Sequence, residues 1–185
     1  MKTSASELGK GLHFILGGIL ANAAAGMVQG PAALAVSGLS CGLTLLGLFF
    51  ASKADKRFWL PLVLTAVNAL GLDILYTKVT DQRQALLLMM GKLTLNAVAV
   101  CCICLFTLPF LEGRPDAGAK QGQWAWKLEI AAAVTYLSDL LMGKVPGMEM
   151  LKASLSLMAM GAMFFMTVFY LYFLWRAGST LRKQR

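Results

Sequence analysis

Six apolar stretches, each close to the length of a membrane span, follow one another along this chain and are joined by short polar segments. A helix needs about 20 consecutive apolar residues to cross the hydrocarbon core of a bilayer. The pattern therefore predicts an all-α, polytopic transmembrane helix bundle with six spans. The stretches cover residues 12–28, 32–51, 58–76, 85–111, 124–142 and 150–175.

Composition agrees with this class. Hydrophobic residues make up 58% of the 185 residues and charged residues 14%, with a mean hydropathy of +0.67. Soluble globular domains carry about 25% charged residues, so a soluble core does not account for this composition. Six spans with short loops use nearly the whole chain. We therefore expect residues 1–185 to form a single integral membrane domain.

The first apolar stretch can also be compared with a cleaved signal peptide, because Ala21-Asn22-Ala23 resembles a cleavage site. The apolar run continues past that site, however. It leads through Gln29-Gly30-Pro31 directly into the second stretch. This continuity favours a retained helical hairpin.

Lysine and arginine residues fall mainly on one side of the predicted bundle, since the other side carries only Lys78, Arg83, Lys144 and Lys152. Basic loops resist translocation, so the richer side should be cytoplasmic and both termini should lie there, in a multi-pass protein of the plasma membrane. The formal net charge of +8 is best explained by contact with anionic membrane lipids, and we expect no nucleic-acid partner. The richer side holds Lys2, Lys10, Lys53, Lys56, Arg57, Arg114, Lys120, Lys127, Arg176, Arg182, Lys183 and Arg185.

Small residues form two adjacent rows along the first span. In lipid, close backbone approach over small side chains is what holds helices together. The rows therefore predict at least one close helical partner, which is either another helix of this chain, a partner membrane subunit or a second copy. One row contains Gly17, Ala21 and Ala25, and the other Gly18, Asn22, Gly26 and Gly30.

A weak internal repeat links the odd-numbered spans. Residues 73–79 and 139–145 share Asp, Leu, Lys and Val at equal spacing, and Asn22 and Val28 have the same offset. Each match falls at the predicted outer end of its span. Three successive hairpins could be related copies, as in many transporter folds, or the match could reflect the biased composition.

Ionisable side chains inside spans are costly and are therefore candidates for function. Asp73 and Asp139 lie about one turn from the outer ends of the third and fifth spans, and Lys92 lies inside the fourth. With nearby amides, they predict an outward-open pocket for a small polar or zwitterionic ligand. The alternative is that both aspartates are solvated and Lys92 extends its stem towards the interface. The amides are Asn22, Asn68 and Asn96.

No metal or cofactor is predicted. Methionines near the outer face, with Cys101 and Cys104, could suit a soft metal such as Cu(I). Methionine and cysteine also serve as ordinary apolar packing residues, which we favour.

We expect no enzymatic activity. His13 is the single histidine, and no catalytic motif is present. Asp73 and Asp139 lack the Gly-x-Gly-Asp setting of intramembrane aspartyl proteases.

The plan of six short-looped spans, with both ends inside and Ala21-x-x-x-Ala25 in the first helix, resembles the substrate-binding component of energy-coupling-factor vitamin transporters. The resemblance is architectural and covers the whole chain. It implies that the alanine row docks on a partner transmembrane subunit. The sequence thus favours a transport-type subunit for a small polar molecule. The alternatives are an assembly subunit of a larger membrane complex and a membrane enzyme acting on lipid.

Overall fold

The computed structural model describes residues 2–72, 75, 78–114, 118–142 and 149–183, which form helices and turns without a strand. This part of the chain confirms the predicted all-α class. Two 3-10 turns, Lys56–Phe58 and Leu108–Leu111, follow the second and fourth helices. A π-helical segment, Val67–Leu72, continues the third. The helices are α1 (Lys2–Ala25), α2 (Pro31–Ala54), α3 (Trp59–Ala66), α4 (Gln82–Thr107), α5 (Ala119–Met142) and α6 (Glu149–Arg182).

Four helical segments among the described residues are long and apolar enough to cross a membrane. α5 has sufficient length, but it contains Lys127, Glu129 and Asp139. The described helical residues that follow α3 without interruption end at Leu72, before the predicted end of the third span. A membrane protein with four spanning helices is therefore supported, and the third and fifth spans stay predictions. The four segments are Ser4–Ala25, Pro31–Ala54, Gln82–Leu111 and Met150–Arg182.

Several helices extend beyond the apolar stretches that predicted them. α1 begins at Lys2 instead of residue 12, and α6 continues to Arg182 instead of residue 175. Hydropathy detects the part of a helix that suits hydrocarbon, whereas the backbone remains helical into the polar headgroup layer. There, long side chains keep their charges in water. Lys10 pairs with Glu7 at 2.7 Å in this extended part of α1.

Helices that are consecutive in the chain pack side by side, and α6 returns to contact α1, so these six helices form a closed ring. The α1–α6 contact is close because glycines meet there. A Cβ atom added at Gly9 would lie 2.7 Å from the backbone nitrogen of Arg182 and 2.9 Å from the carbonyl oxygen of Gly178. The beginning of α1 and the end of α6 therefore lie at the same end of the bundle, which we call the terminal end.

α1 and α2 form a tight hairpin. The turn needs Gly30, whose φ of 72° suits glycine, and Pro31 begins α2. Further along, the backbones of Gly11 and Gly47 touch. A Cβ atom at Gly11 would lie 2.5 Å from the carbonyl oxygen of Gly47. The Ser40 hydroxyl donates to the carbonyl oxygen of Gly18 at 2.7 Å, which fixes the register of the two helices.

The turn between α2 and α3 is held at the terminal end by Asp55. Its carboxylate accepts hydrogen bonds from the backbone N–H of Arg57 at 2.9 Å and from the Arg57 Nε at 2.8 Å. The hydrogen bond from the Arg57 side chain lowers the pKa of Asp55. The Arg57 guanidinium also lies 5.4 Å from the centre of the Phe106 ring, which ties this turn to the end of α4.

The main hydrophobic cluster is concentrated towards the terminal end. Towards the other end, large apolar side chains such as Met27, Leu34 and Met150 are 88%, 77% and 89% exposed. Packing is therefore denser at the terminal end than at the other end of the bundle. The cluster comprises Ala5, Leu8, Leu12, Ile15, Leu48, Ala51, Phe58, Val100, Ile103, Cys104, Leu111, Ala125, Tyr170, Phe173, Leu174, Ala177 and Leu181.

Candidate functional site

A pocket of about 500 Å³ opens among the π-helical segment, α4, α5 and α6, beyond the packed cluster as seen from the terminal end. Four polar side chains line it, three of which are candidates from the sequence. Apolar side chains from α4 and α6 complete the wall. We call this space the polar pocket. Its polar residues are Asn68, Lys92, Asn96 and Tyr136, and its apolar residues are Met89, Leu93 and Met163.

Helix geometry explains how the pocket wall is built. Met89, Lys92, Leu93 and Asn96 follow the i, i+3, i+4, i+7 spacing of one helix face, so α4 presents a continuous strip to the pocket. Asn68 comes from the π-helical segment that follows α3. Because a π-turn holds more residues than an α-turn, such segments redirect side chains and occur frequently at functional sites.

One atom of the Asn68 amide has no hydrogen-bond partner among the described residues. This atom, Oδ1, is buried. Buried polar atoms are normally paired, since an unpaired one forfeits the hydrogen bonds that it makes in water. Asn68 lines the pocket, but this oxygen itself is buried, and the other polar groups of the lining include the Lys92 ammonium and the Tyr136 hydroxyl.

Glu129 contacts the pocket residue Asn96 without lining the pocket itself, and the sequence analysis did not identify it. It is only 4% exposed, and its carboxyl group is hydrogen-bonded to the side chain of Asn96. Deeper along the same helix pair, the Cys101 thiol donates to the carbonyl oxygen of Trp126 at 3.7 Å. These two contacts place Asn96 opposite Glu129 and Cys101 opposite Trp126, so α4 and α5 run antiparallel in this register.

A signal for Glu129 was present in the sequence. It is an acidic residue five positions inside the predicted fifth span, the same criterion that singled out Asp73, Lys92 and Asp139. Lys127, two positions earlier, is one of the basic residues of the predicted cytoplasmic side, so the sequence places this part of the chain at the cytoplasmic interface. The packing of α5 against α4 instead buries the glutamate side chain.

The remaining predicted ligand-binding residues are not among those that line the polar pocket. Asp139 lies about one turn beyond Tyr136 and accepts a hydrogen bond from the Ser156 hydroxyl at 3.0 Å, and its other oxygen is buried without a described partner. Asn22 is exposed near the end of α1. Asp73 lies outside the described residues. The described structure thus brings together Asn68, Lys92 and Asn96.

The two small-residue rows of α1 have different surroundings. Gly18 packs within the chain, because a Cβ atom there would meet Thr44 and lie 2.9 Å from the carbonyl oxygen of Ser40. At Gly17 the nearest such atom is Leu43 Cδ1 at 3.9 Å. Ala21 and Ala25 are half-buried, and Gly26 is exposed. Docking of a partner on the Gly17 row stays a prediction.

The described part of the chain contains no group of three or more His, Cys, Asp or Glu side chains that could hold a metal ion. The four cysteines are free thiols. No protein-family model, curated protein or solved structure significantly matches this chain.

Proposed function

We propose that this protein is a transport-type membrane subunit that binds a small polar molecule in the polar pocket. The convergence of Asn68 with Lys92 and Asn96 carries the proposal, since Asn68 follows α3 whereas the other two belong to α4, and all three line one cavity. A mostly apolar cavity that contains a few polar side chains is the arrangement expected of a ligand site. The amides fix orientation, Lys92 supplies positive charge, and Met89, Leu93 and Met163 shield the ligand from lipid.

The proposed topology has six crossings, both termini in the cytoplasm and the pocket open to the outside of the plasma membrane. The contact between Gly9 and Arg182 supports an even number of crossings, because it places both described ends together. α5 can supply the fifth crossing, since its 24 residues extend about 36 Å, and the third crossing would be the predicted span that begins with α3. Two of its charged side chains, Glu129 and Asp139, contact α4 and α6 respectively.

The proposed mechanism is capture of the ligand from the outer side, followed by helix rearrangement that exposes it to the other side. Partner membrane subunits supply the energy, since the chain has no nucleotide-binding motif. A three-hairpin repeat of α1–α2, α3–α4 and α5–α6 stays part of the proposal. Residues 73, 74, 76, 77 and 143–148, which hold much of the two longer repeat motifs, lie outside the described residues.

An assembly subunit without transport activity is the second candidate. It is favoured by the face of α2 that carries Gly38 and Gly42. A Cβ atom at either glycine would have no described atom within 4 Å. Such a small-residue face suits a partner helix. A membrane enzyme acting on lipid is the weaker alternative, because the described polar residues offer no recognisable catalytic set.

Retention of a small molecule by the purified protein tests the proposed function. We expect the full-length chain, extracted in mild detergent, to release a polar compound that mass spectrometry detects. Lys92→Met should lower the retained amount at least about tenfold, because it removes the charge-assisted contact. Asn22→Ala is the matched control, since Asn22 is exposed and away from the pocket, and it should retain the wild-type amount.

The proposal fails if no small molecule accompanies the wild-type protein from cells or after incubation with a cell-extract metabolite mixture. It fails equally if Lys92→Met and Asn22→Ala retain the same amount. Partner proteins that copurify with normal stoichiometry while no compound is bound would support the assembly-subunit alternative.

A further inference from the structure

A second pocket lies at the terminal end, between α1 and α6, and belongs to no part of the proposed transport site. It has a volume of about 390 Å³ and is lined by His13, Ser179, Arg182 and Lys183. We call it the terminal pocket. Its four lining side chains include two cations, a hydroxyl and an imidazole, and none is a carboxylate. Arg182, Lys183 and Ser179 can all donate hydrogen bonds, which suits an anion.

Close helix contact builds this pocket. A Cβ atom at Gly178 would lie 2.7 Å from His13 Nδ1, so the imidazole packs directly on the backbone of α6. The Nδ1–H group donates to the carbonyl oxygen of Gly9 at 2.9 Å, which fixes the ring. His13 Nε2 then lies 3.4 Å from the Ser179 hydroxyl. This long contact leaves the hydroxyl proton able to turn towards a ligand.

The charge distribution around the terminal pocket also favours an anion. Arg182 and Lys183 are exposed at the end of α6, and both side chains are cationic. The nearby acid on α1, Glu7, is already paired with Lys10 at 2.7 Å. Arginine presents a planar fork of N–H donors that matches two oxygens of a phosphate group, and lysine adds a point charge.

We propose that the terminal pocket binds a phosphate group, held by Arg182, Lys183 and Ser179 against the fixed ring of His13. Two sources present this chemistry at the basic end of a membrane protein. One is the headgroup of an anionic phospholipid, which is concentrated in the cytoplasmic leaflet, and the other is free phosphate or a soluble phosphate ester. The site is independent of the polar pocket, which lies beyond the packed cluster.

Lipid retention and phosphate binding test this site and separate the two sources. Full-length protein is placed in nanodiscs of phosphatidylcholine with a minority of phosphatidylglycerol, and retained lipids are counted by native mass spectrometry. Binding of radiolabelled inorganic phosphate is measured in nonionic detergent. The double variant Arg182→Gln plus Lys183→Gln removes both cations of the pocket and should lower phosphate-group binding about tenfold.

Two further variants distinguish a built site from general surface charge. Ser179→Ala leaves the net charge unchanged and should weaken binding about threefold through the lost hydroxyl. Lys56→Gln plus Lys120→Gln removes the same charge elsewhere and should change binding by less than about twofold. Preferential retention of phosphatidylglycerol alone identifies a lipid headgroup, whereas saturable binding of inorganic phosphate identifies a soluble source. Both results support the site.

The proposal is overturned if the wild-type protein binds neither probe. It is also overturned if the Lys56 and Lys120 variant loses as much binding as the Arg182 and Lys183 variant while Ser179→Ala has no effect. That pattern would mean that only the overall charge attracts the anion.

Discussion

Gly47→Leu should destabilise the folded protein strongly, by about 3 kcal/mol or more. A Cβ atom at this position would lie 2.6 Å from the carbonyl oxygen of Gly11 and 2.8 Å from the backbone nitrogen of Ile15. Both obstacles are backbone atoms of α1, so no side-chain rotation can relieve the clash. The whole α1–α2 hairpin would have to separate, which would also disturb the contact of Ala51 with Gly11. Thermal unfolding in detergent measures the effect.

Gly42→Leu is the matched control for this prediction. It makes the same substitution earlier on the same helix, where a Cβ atom would meet no described atom within 4 Å. Its melting temperature should stay close to that of the wild type, because the added side chain faces detergent or lipid. Equal destabilisation by the two substitutions would contradict the close packing of Gly47 against α1.

Glu129→Leu should make the protein more stable but a poorer binder. Leucine fills a similar volume and removes the cost of keeping a carboxyl group away from water, so we expect about 1 kcal/mol of added stability. Asn96 loses its hydrogen-bond partner and is no longer held in the pocket wall. Ligand retention should therefore fall about tenfold, the effect of one lost positioning contact. Thermal unfolding and ligand retention are measured on the same preparations.

Glu129→Gln tests whether Glu129 acts by holding Asn96 in place or only by stabilising the fold. The amide keeps the size of the side chain and can still hydrogen-bond to Asn96, so it should restore most ligand retention. A merely structural residue would instead lose stability and binding together in the leucine variant. Retention that is unchanged in Glu129→Leu would contradict the proposed role of this residue.

Much of the fold could be predicted because lipid imposes a simple rule on the sequence. Apolar length locates helices, and Gln29-Gly30-Pro31 marks the turn of the α1–α2 hairpin. Helix ends were less predictable, since α1 and α6 remain helical into the polar layer. The arrangement of helices around the ring depends on which small residues touch, as at Gly9 and Gly178. Neighbouring glycines such as Gly17 and Gly18 look equivalent in sequence but have different surroundings.

The polar pocket was partly predictable for a related reason. Lys92 and Asn96 stand out in an apolar helix, and their spacing of four places them on one face. Asn68 could be singled out as a polar residue, but its place beside them depends on the π-helical segment, which no pattern predicted. Glu129 was not singled out because the nearby Lys127 makes this part of the chain look like a polar interface. Its role becomes visible only when α5 is packed against α4.

The proposed topology requires the polar pocket to open on the side of the membrane opposite the two termini. Thiol labelling tests it most directly, using the full-length protein with its four native cysteines replaced by serine and a single new cysteine introduced by Met89→Cys or Lys183→Cys. In intact cells, a membrane-impermeant maleimide should label Met89→Cys, whereas Lys183→Cys should react only after the membrane is permeabilised. Labelling of both positions from the same side, or of Met89→Cys only after permeabilisation, would contradict the proposed topology and the outward opening of the pocket.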